Sequence, residues 1–206
     1  LDVELADPDW DREDVALLVV ARPTQLNEAE VAALDRYLAG GGRVLLFGDL
    51  ESVDPLDFTS TPLATGLEAW LAGCGVRVAP GFIWDDSCLN VTTAYNEIET
   101  QSSRASLPSR TAYGLFPYIT GEGLAKDQVV TASLGEVTCF WAHPLELAGV
   151  PAGVRAATLL RTSAASWVVP AATPLRRDRD AMLRTRNFAR QTGSEVVVPP
   201  QPGNVG

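Results

Sequence analysis

Hydrophobic and polar positions are most sharply ordered between Val15 and Asp49, VALLVVARPTQLNEAEVAALDRYLAGGGRVLLFGD. Val15 to Val20 is a short, continuous apolar run, the pattern of a strand buried on both faces of a parallel sheet. A helix pattern follows it. Asn27 is a capping residue, and Glu30 three residues later completes a capping box. Leu26 and Val31 stand where a hydrophobic staple forms, and Val31, Leu34 and Leu38 fall on one helical face. Gly40, Gly41 and Gly42 end the helix, where at least one glycine is expected to take positive φ. Arg43 to Phe47 is a second apolar run, closed by Gly48-Asp49. Strand, helix and strand over this span predict a right-handed βαβ unit.

The remaining pattern is less regular. LESVDPLDFTST, after Asp49, reads as a polar loop at the carboxyl end of a strand, where open α/β sheets place ligands. Thr61 and Pro62 are suited to open a helix, with Leu63, Leu67, Trp70 and Leu71 as its buried stripe and Gly73 and Gly75 around its end. Val76–Val78 and Phe82–Trp84 read as strands, separated by Pro80-Gly81 and running into Asp85-Asp86. Residues 87–128 show scattered aromatics and no sustained period, so irregular structure with short strands is expected there. Gln128–Ala132, Glu136–Trp141 and Ala156–Arg161 read as further strands, the last leading into Thr162-Ser163 and Trp167. Residues 171–191 carry eight charges, six of them arginine, on an expected exposed helix or flap anchored by Met182, Leu183 and Phe188. Glu195–Val198 reads as a last strand, and 199–206 as a linker-like tail.

Three blocks carry a resemblance. ARPTQLNEAEVAALDRYLAGGGRVLLFGD, LEAWLAGCGVRVAPGFIWDDS and ATLLRTSAASWV, in that order, resemble the GldG-type domain of uncharacterised ABC transport systems. None of the blocks is a catalytic signature. The resemblance implies a class I glutamine amidotransferase-like fold. It also implies a non-catalytic, extracytoplasmic accessory domain, tethered to the membrane by segments absent from this chain. Its implied partners are the permease and ATPase subunits of an ABC transporter, with a protein or polysaccharide as envelope ligand.

Bulk properties narrow the field. With 206 residues, 46% of them hydrophobic and 20% charged, the chain is long enough to bury a core. A net charge of −10 argues against a nucleic-acid partner and against adhesion to an anionic membrane surface. No run of about 18 apolar residues occurs. The chain starts at Leu1 rather than Met and reads as an excised or processed piece. Cys74, Cys88 and Cys139 cannot all pair within one chain. One disulfide plus a free thiol, and three buried thiols, both satisfy that count.

Candidate chemistry is sparse. Asp7, Asp9 and Asp11 are spaced like the start of a calcium loop. Arg12 and Leu18 stand where that loop needs glycine and glutamate, so a solvated acidic loop is the reading. Cys74, His143 and Glu146 suggest the cysteine triad of amidotransferases. However, Gly73-Cys74-Gly75 follows a helix pattern rather than a strand, and the expected elbow near Gly48-Asp49 has no cysteine. His143 is the one histidine, a poor basis for zinc. Gly40–Gly42 follows a helix and precedes a strand, the reverse of a dinucleotide loop. No cofactor is implied. Ser163 and Ser166 lack a nucleophile context. Asp49, Asp85 and Asp86 fall at strand ends and are the candidate lining of a ligand cleft.

Together these features predict one α/β domain over residues 1–198. Its expected form is three layers around a mostly parallel, flavodoxin-like or amidotransferase-like sheet. An amidotransferase-like hydrolase and a small-molecule binding domain are the rival functions.

Overall fold

A computed structural model describes Leu5, residues 15–54, 58–99 and 104–170, and Leu175; for 93–99 and 104–109 it describes the backbone only. In chain order the elements are β1 (Leu18–Ala21), α1 (Glu28–Ala39), β2 (Val44–Phe47), β3 (Glu51–Val53), β4 (Ser60–Pro62), α2 (Glu68–Gly73), β5 (Val76–Val78) and β6 (Phe82–Trp84). They continue with β7 (Cys88–Glu99), β8 (Arg104–Thr120), α3 (Val129–Ala132), β9 (Glu136–Thr138), β10 (Leu145–Leu147) and β11 (Trp167–Val169). The chain divides into two compact units. The first comprises Leu1–Val53, Ser60–Ala79 and Leu145–Ala156; the second comprises Asp54–Thr59, Pro80–Pro144 and Ala157–Gly206.

In the first unit, β1 and β2 pair in parallel, from Leu18↔Val44 to Ala21↔Phe47, with α1 as the crossover. The Asn27 carboxamide accepts from the Ala29 and Glu30 amides at 2.9 and 3.1 Å, and the Glu30 carboxylate accepts from the Asn27 amide at 2.8 Å. That is the capping box read from the sequence. Leu18, Val20, Leu34, Tyr37 and Leu67 form the core, with Leu26, Val31, Val44, Leu46, Trp70 and Leu71 packed against it. The buried face of α1 is Ala33, Leu34 and Tyr37. Leu38, expected on that face, is 38% exposed, and Tyr37 takes the place by donating to the Val15 carbonyl at 2.9 Å. Gly41 has φ +88, and a side chain at Gly42 would collide with the Tyr37 ring, so the helix stop depends on both glycines.

Two expectations for this unit are corrected. The β1–β2 pair is buried on one face only: Leu18 and Val20 turn inward, while Leu17, Val19, Leu45 and Phe47 stay exposed. Thr61 and Pro62 do not open a helix. They lie in β4, which pairs antiparallel with β3, Glu51↔Pro62 to Val53↔Ser60. The helix begins later, at Glu68, with Leu67 as an N-cap without a side-chain cap; before it the Thr65 hydroxyl accepts from the Leu67 amide and Glu68 accepts from the Thr65 amide. β5 pairs antiparallel with β10, a strand the sequence pattern does not announce.

In the second unit, β6 pairs antiparallel with β11, bringing Trp84 opposite Trp167 with ring centroids 5.9 Å apart. β7, β8 and β9 form an antiparallel sheet in that order. The core is Phe82, Trp84, Tyr113, Leu115, Ile119, Leu124, Trp167 and Val169. Gly114 lets β8 pass under Trp84, since a β-carbon there would collide with the indole.

Residues expected to be irregular thus hold the longest strands, β7 and β8. In β8, Tyr113, Leu115, Pro117 and Ile119 do alternate into the core, but Gly114 and Pro117 within that run read as strand breakers. Gln128–Ala132 is not a strand, because Val129–Ala132 is the helix α3, and Ala156–Arg161 contributes a single bridge, Leu124↔Leu160. The flap at 171–191, the strand at 195–198 and the acidic loop at 7–14 lie outside the described residues, Leu175 excepted. The α/β class stands. A three-layer, mostly parallel sheet is not shown: β1–β2 is the one parallel pair among the described residues, and the other sheets are small and antiparallel. Short connections such as that from β3 to β4 permit hairpins but not parallel crossovers.

Candidate functional site

β6 leads directly into a buried, hydrogen-bonded carboxylate, that of Asp85. Trp84 is buried against Trp167 and Tyr113, and Asp85, directly after β6, is 1% exposed. The Asp85 amide donates to the Gly114 carbonyl at 2.9 Å. Its carboxylate accepts from the Ser87 amide at 2.9 Å, from the Ser163 amide at 2.7 Å and from the Ser163 hydroxyl. Ser163 Oγ in turn accepts from the Ala165 amide at 3.1 Å, and Thr162 and Ser166 share a hydroxyl bond at 2.9 Å. A buried carboxylate supplied with three donors is satisfied in its ionised form. It fastens the Thr162–Ser166 turn to β6 and is not open to a ligand. Ser163 has no imidazole beside it: its hydroxyl donates to the Asp85 carboxylate, which two amides also engage.

Asp86, next in the chain, is exposed and accepts from Trp84 Nε1 at 3.3 Å. Asp49 lies in the first unit, at the carboxyl end of β2. It accepts from Arg22 Nε at 3.3 Å, and Arg22 also reaches Ser52 Oγ at 3.4 Å. Arg22 and Gln25 hold left-handed φ of 46° and 51°, so the backbone is strained where β1 ends. Of the three aspartates, then, Asp85 is consumed by the fold, while Asp49 and Asp86 face outward in separate units.

The Cys74, His143 and Glu146 set is not joined into a relay. Cys74 is the C-cap of α2, where burial pushes its thiol pKa up and the negative charge of Asp35 pushes the same way. Activation would need the opposite shift. His143 is buried, with Nδ1 2.7 Å from the Gly81 carbonyl and its ring 4.9 Å from that of Phe82. That carbonyl is an acceptor only, so Nδ1 carries the proton. Nε2 is buried without a hydrogen-bond partner, and no nitrogen of this histidine accepts from a thiol. Glu146 is exposed on β10. Cys88 and Cys139 lie across β8 from each other: Cys88 pairs with Pro117, and the Cys139 amide donates to the Pro117 carbonyl. Two strand spacings, about 10 Å, are too far for a disulfide, and no disulfide joins Cys74, Cys88 or Cys139.

Among the described residues no group of three or more His, Cys, Asp or Glu is placed to hold a metal ion. No helix among them is long and apolar enough to cross a membrane. The partnership of Asp85 with Ser163 joins residues 78 apart, and no spacing rule reveals it. The only hint is that both sit in blocks that resemble one family. Arg22 and Ser52 carry no sequence signal for their site.

A family model described as "ABC-type uncharacterized transport system" matches residues 1–198. No curated protein and no solved structure matches the chain.

Proposed function

Because the chain belongs to the ABC-type uncharacterized transport system family, we propose that it is a non-catalytic accessory domain of such a transporter, displayed on the extracytoplasmic side. The family match over residues 1–198 is the observation that carries the reading, and it supports treating that span as one functional domain. The raised thiol pKa of Cys74 adds to it, since activation of that thiol would need the opposite shift.

The partners are the permease and ATPase subunits, and the ligand is a protein or polysaccharide of the envelope. Ligand contacts fall to the strand-end groups that face outward, Asp49 with Arg22 in one unit and Asp86 in the other; Asp85 supports the turn beside Asp86. The finer fold reading, three layers of the amidotransferase-like kind, rests on the family and on β1–α1–β2.

Affinity-tagged full-length protein, solubilised with its membranes in mild detergent, tests this. Permease and ATPase subunits of an ABC transporter should co-purify in fixed ratio. Recovery of the tagged chain without either subunit, under conditions that keep permease and ATPase together, would overturn the assignment.

A further inference from the structure

We propose that the strand-end pair Arg22 and Asp49, with Ser52 and the Phe47 ring, is a subsite for a neutral hexose unit of an envelope polysaccharide. This rests on the transport reading above and selects the glycan, rather than a protein, as the ligand at that site.

Place and backbone come first. Arg22 follows β1 and Asp49 follows β2, at the carboxyl ends of the parallel pair, where open α/β sheets bind ligands. Arg22 and Gln25 hold φ of 46° and 51° within one short loop, a region that glycine enters freely and other residues enter at a cost. Pro23 narrows the backbone of Arg22 further. The loop is pinned in this shape. The Gln25 and Leu26 amides donate to the Ala64 and Thr65 carbonyls at 2.9 and 3.0 Å, and a β-carbon at Gly66 would collide with the Leu26 carbonyl. Backbone strain held by its surroundings gathers at ligand sites. At Arg22 the amide stays in the strand pattern, donating to the Phe47 carbonyl at 2.7 Å. The side chain meets Asp49, with Nε 3.3 Å from Oδ2, and Nη2 donates to Ser52 Oγ at 3.4 Å. Side-chain exposures of 63% and 36% mean that this pair adds little to stability, so the strain is not offset by the ion pair it forms.

Chemistry selects the ligand. The guanidinium and the carboxylate together carry no net charge. A phosphate or a uronate would meet an arginine already paired and a carboxylate that repels it, and an ammonium would meet the reverse. A hydroxyl meets neither penalty, because it donates to the carboxylate and accepts from the guanidinium. Both groups have more hydrogen-bonding positions than their mutual contact uses, so they serve neighbouring hydroxyls without parting. Vicinal hydroxyls along one edge of a hexose match that arrangement, and the Ser52 hydroxyl both donates and accepts. Glu51, beside Ser52 in β3, adds to the bias against anionic glycans. Phe47, the last residue of β2 and 56% exposed, supplies an aromatic surface for the C–H face of the sugar ring.

The test uses full-length protein in detergent micelles and fluorescence anisotropy of end-labelled hexasaccharides of glucose, galactose, mannose and N-acetylglucosamine. Inorganic phosphate and polygalacturonate oligomers serve as competitors. At least one neutral oligomer should bind and resist both competitors. Asp49→Asn and Arg22→Gln should each weaken it at least about tenfold, and Phe47→Ala should weaken it while Phe47→Tyr, which keeps the ring, retains it. Glu146→Gln, at an exposed carboxylate of the same unit, should leave it unchanged, and melting profiles identify any variant that fails to fold. Absence of binding by every neutral oligomer, binding that survives Asp49→Asn and Arg22→Gln, or displacement by phosphate or polygalacturonate overturns the subsite. Loss of permease and ATPase co-purification in Asp49→Asn, with no oligomer bound, assigns the pair to a protein contact and overturns it too. The transport reading stands in all these cases while the unaltered protein still co-purifies with those subunits. An oligomer bound by protein that recovers neither subunit overturns the transport reading and keeps the subsite.

Discussion

Asp85→Ala should destabilise the second unit strongly, and the size of the loss follows from what the carboxylate holds. At 1% exposure it accepts from two amides and one hydroxyl. Hydrogen bonds to a charged group contribute about 1.5–3 kcal/mol each, and a buried donor left unmade costs about 1–3 kcal/mol. Ser87 is exposed, so water replaces its bond, whereas Ser163 is half-buried and its amide and hydroxyl lose more. The net expectation is about 3–5 kcal/mol. Ser163→Ala removes only the hydroxyl and should cost about 1–2 kcal/mol. Since that hydroxyl acts through Asp85, Ser163→Ala should cost little once Asp85 is gone, a coupling of about 1–2 kcal/mol. Urea unfolding followed by tryptophan fluorescence reads this directly, because Trp84 and Trp167 flank the site. A loss below about 1 kcal/mol for Asp85→Ala would refute the reasoning. So would additivity of the two substitutions within about 0.3 kcal/mol.

Three further outcomes are expected. Leu34→Ala, at 1% exposure, should cost about 2–5 kcal/mol, while Leu45→Ala, at 40%, should cost under about 0.5 kcal/mol in the isolated chain; equal losses in denaturant titrations would show that both faces of β1–β2 are buried. Gly41→Val places a β-branched residue at φ +88 and should cost at least about 1–2 kcal/mol, and an unchanged melting temperature would contradict the helix-stop assignment. Cys74, with its pKa raised by burial and by Asp35, should alkylate slowly at neutral pH and faster as pH rises. Asp35→Asn should quicken it at fixed pH, and an unchanged or slower rate would remove Asp35 as a cause. The sign for stability is the corresponding one. A thiol pKa raised in the fold contributes stability below its unfolded value that is lost as pH climbs through the folded one.

Local rules were sufficient where one segment carries its own instructions. Asn27 and Glu30 meet within a single helical turn, and Gly41 takes its left-handed turn at the end of α1, so the βαβ opening was readable from neighbours alone. Of the expected stripe Leu63, Leu67, Trp70 and Leu71, the last three pack in or against the core, while Leu63 lies before the helix, which starts later than Thr61 suggests. The pair Thr65 and Glu68 has the spacing of a helix start, and Pro62 drew the boundary away from it. Val129–Ala132 was misread because valine and threonine favour strands, while Thr131 turns inward to hydrogen-bond the Ala125 carbonyl at 2.5 Å, which suits a short helix.

By itself, then, the sequence determined the α/β class, the first crossover unit and its caps, the net charge of −10, and family membership through three ordered blocks. These depend on contacts a few residues apart or on sums over the chain. The tertiary structure alone decided that Asp85 belongs to Ser163, that Cys88 and Cys139 are separated by β8, and that β5 takes β10 as its neighbour. It also decided which apolar face of β1–β2 is covered. Each of these depends on where distant segments meet, and hydrophobic periodicity states that a face is apolar without naming what packs on it.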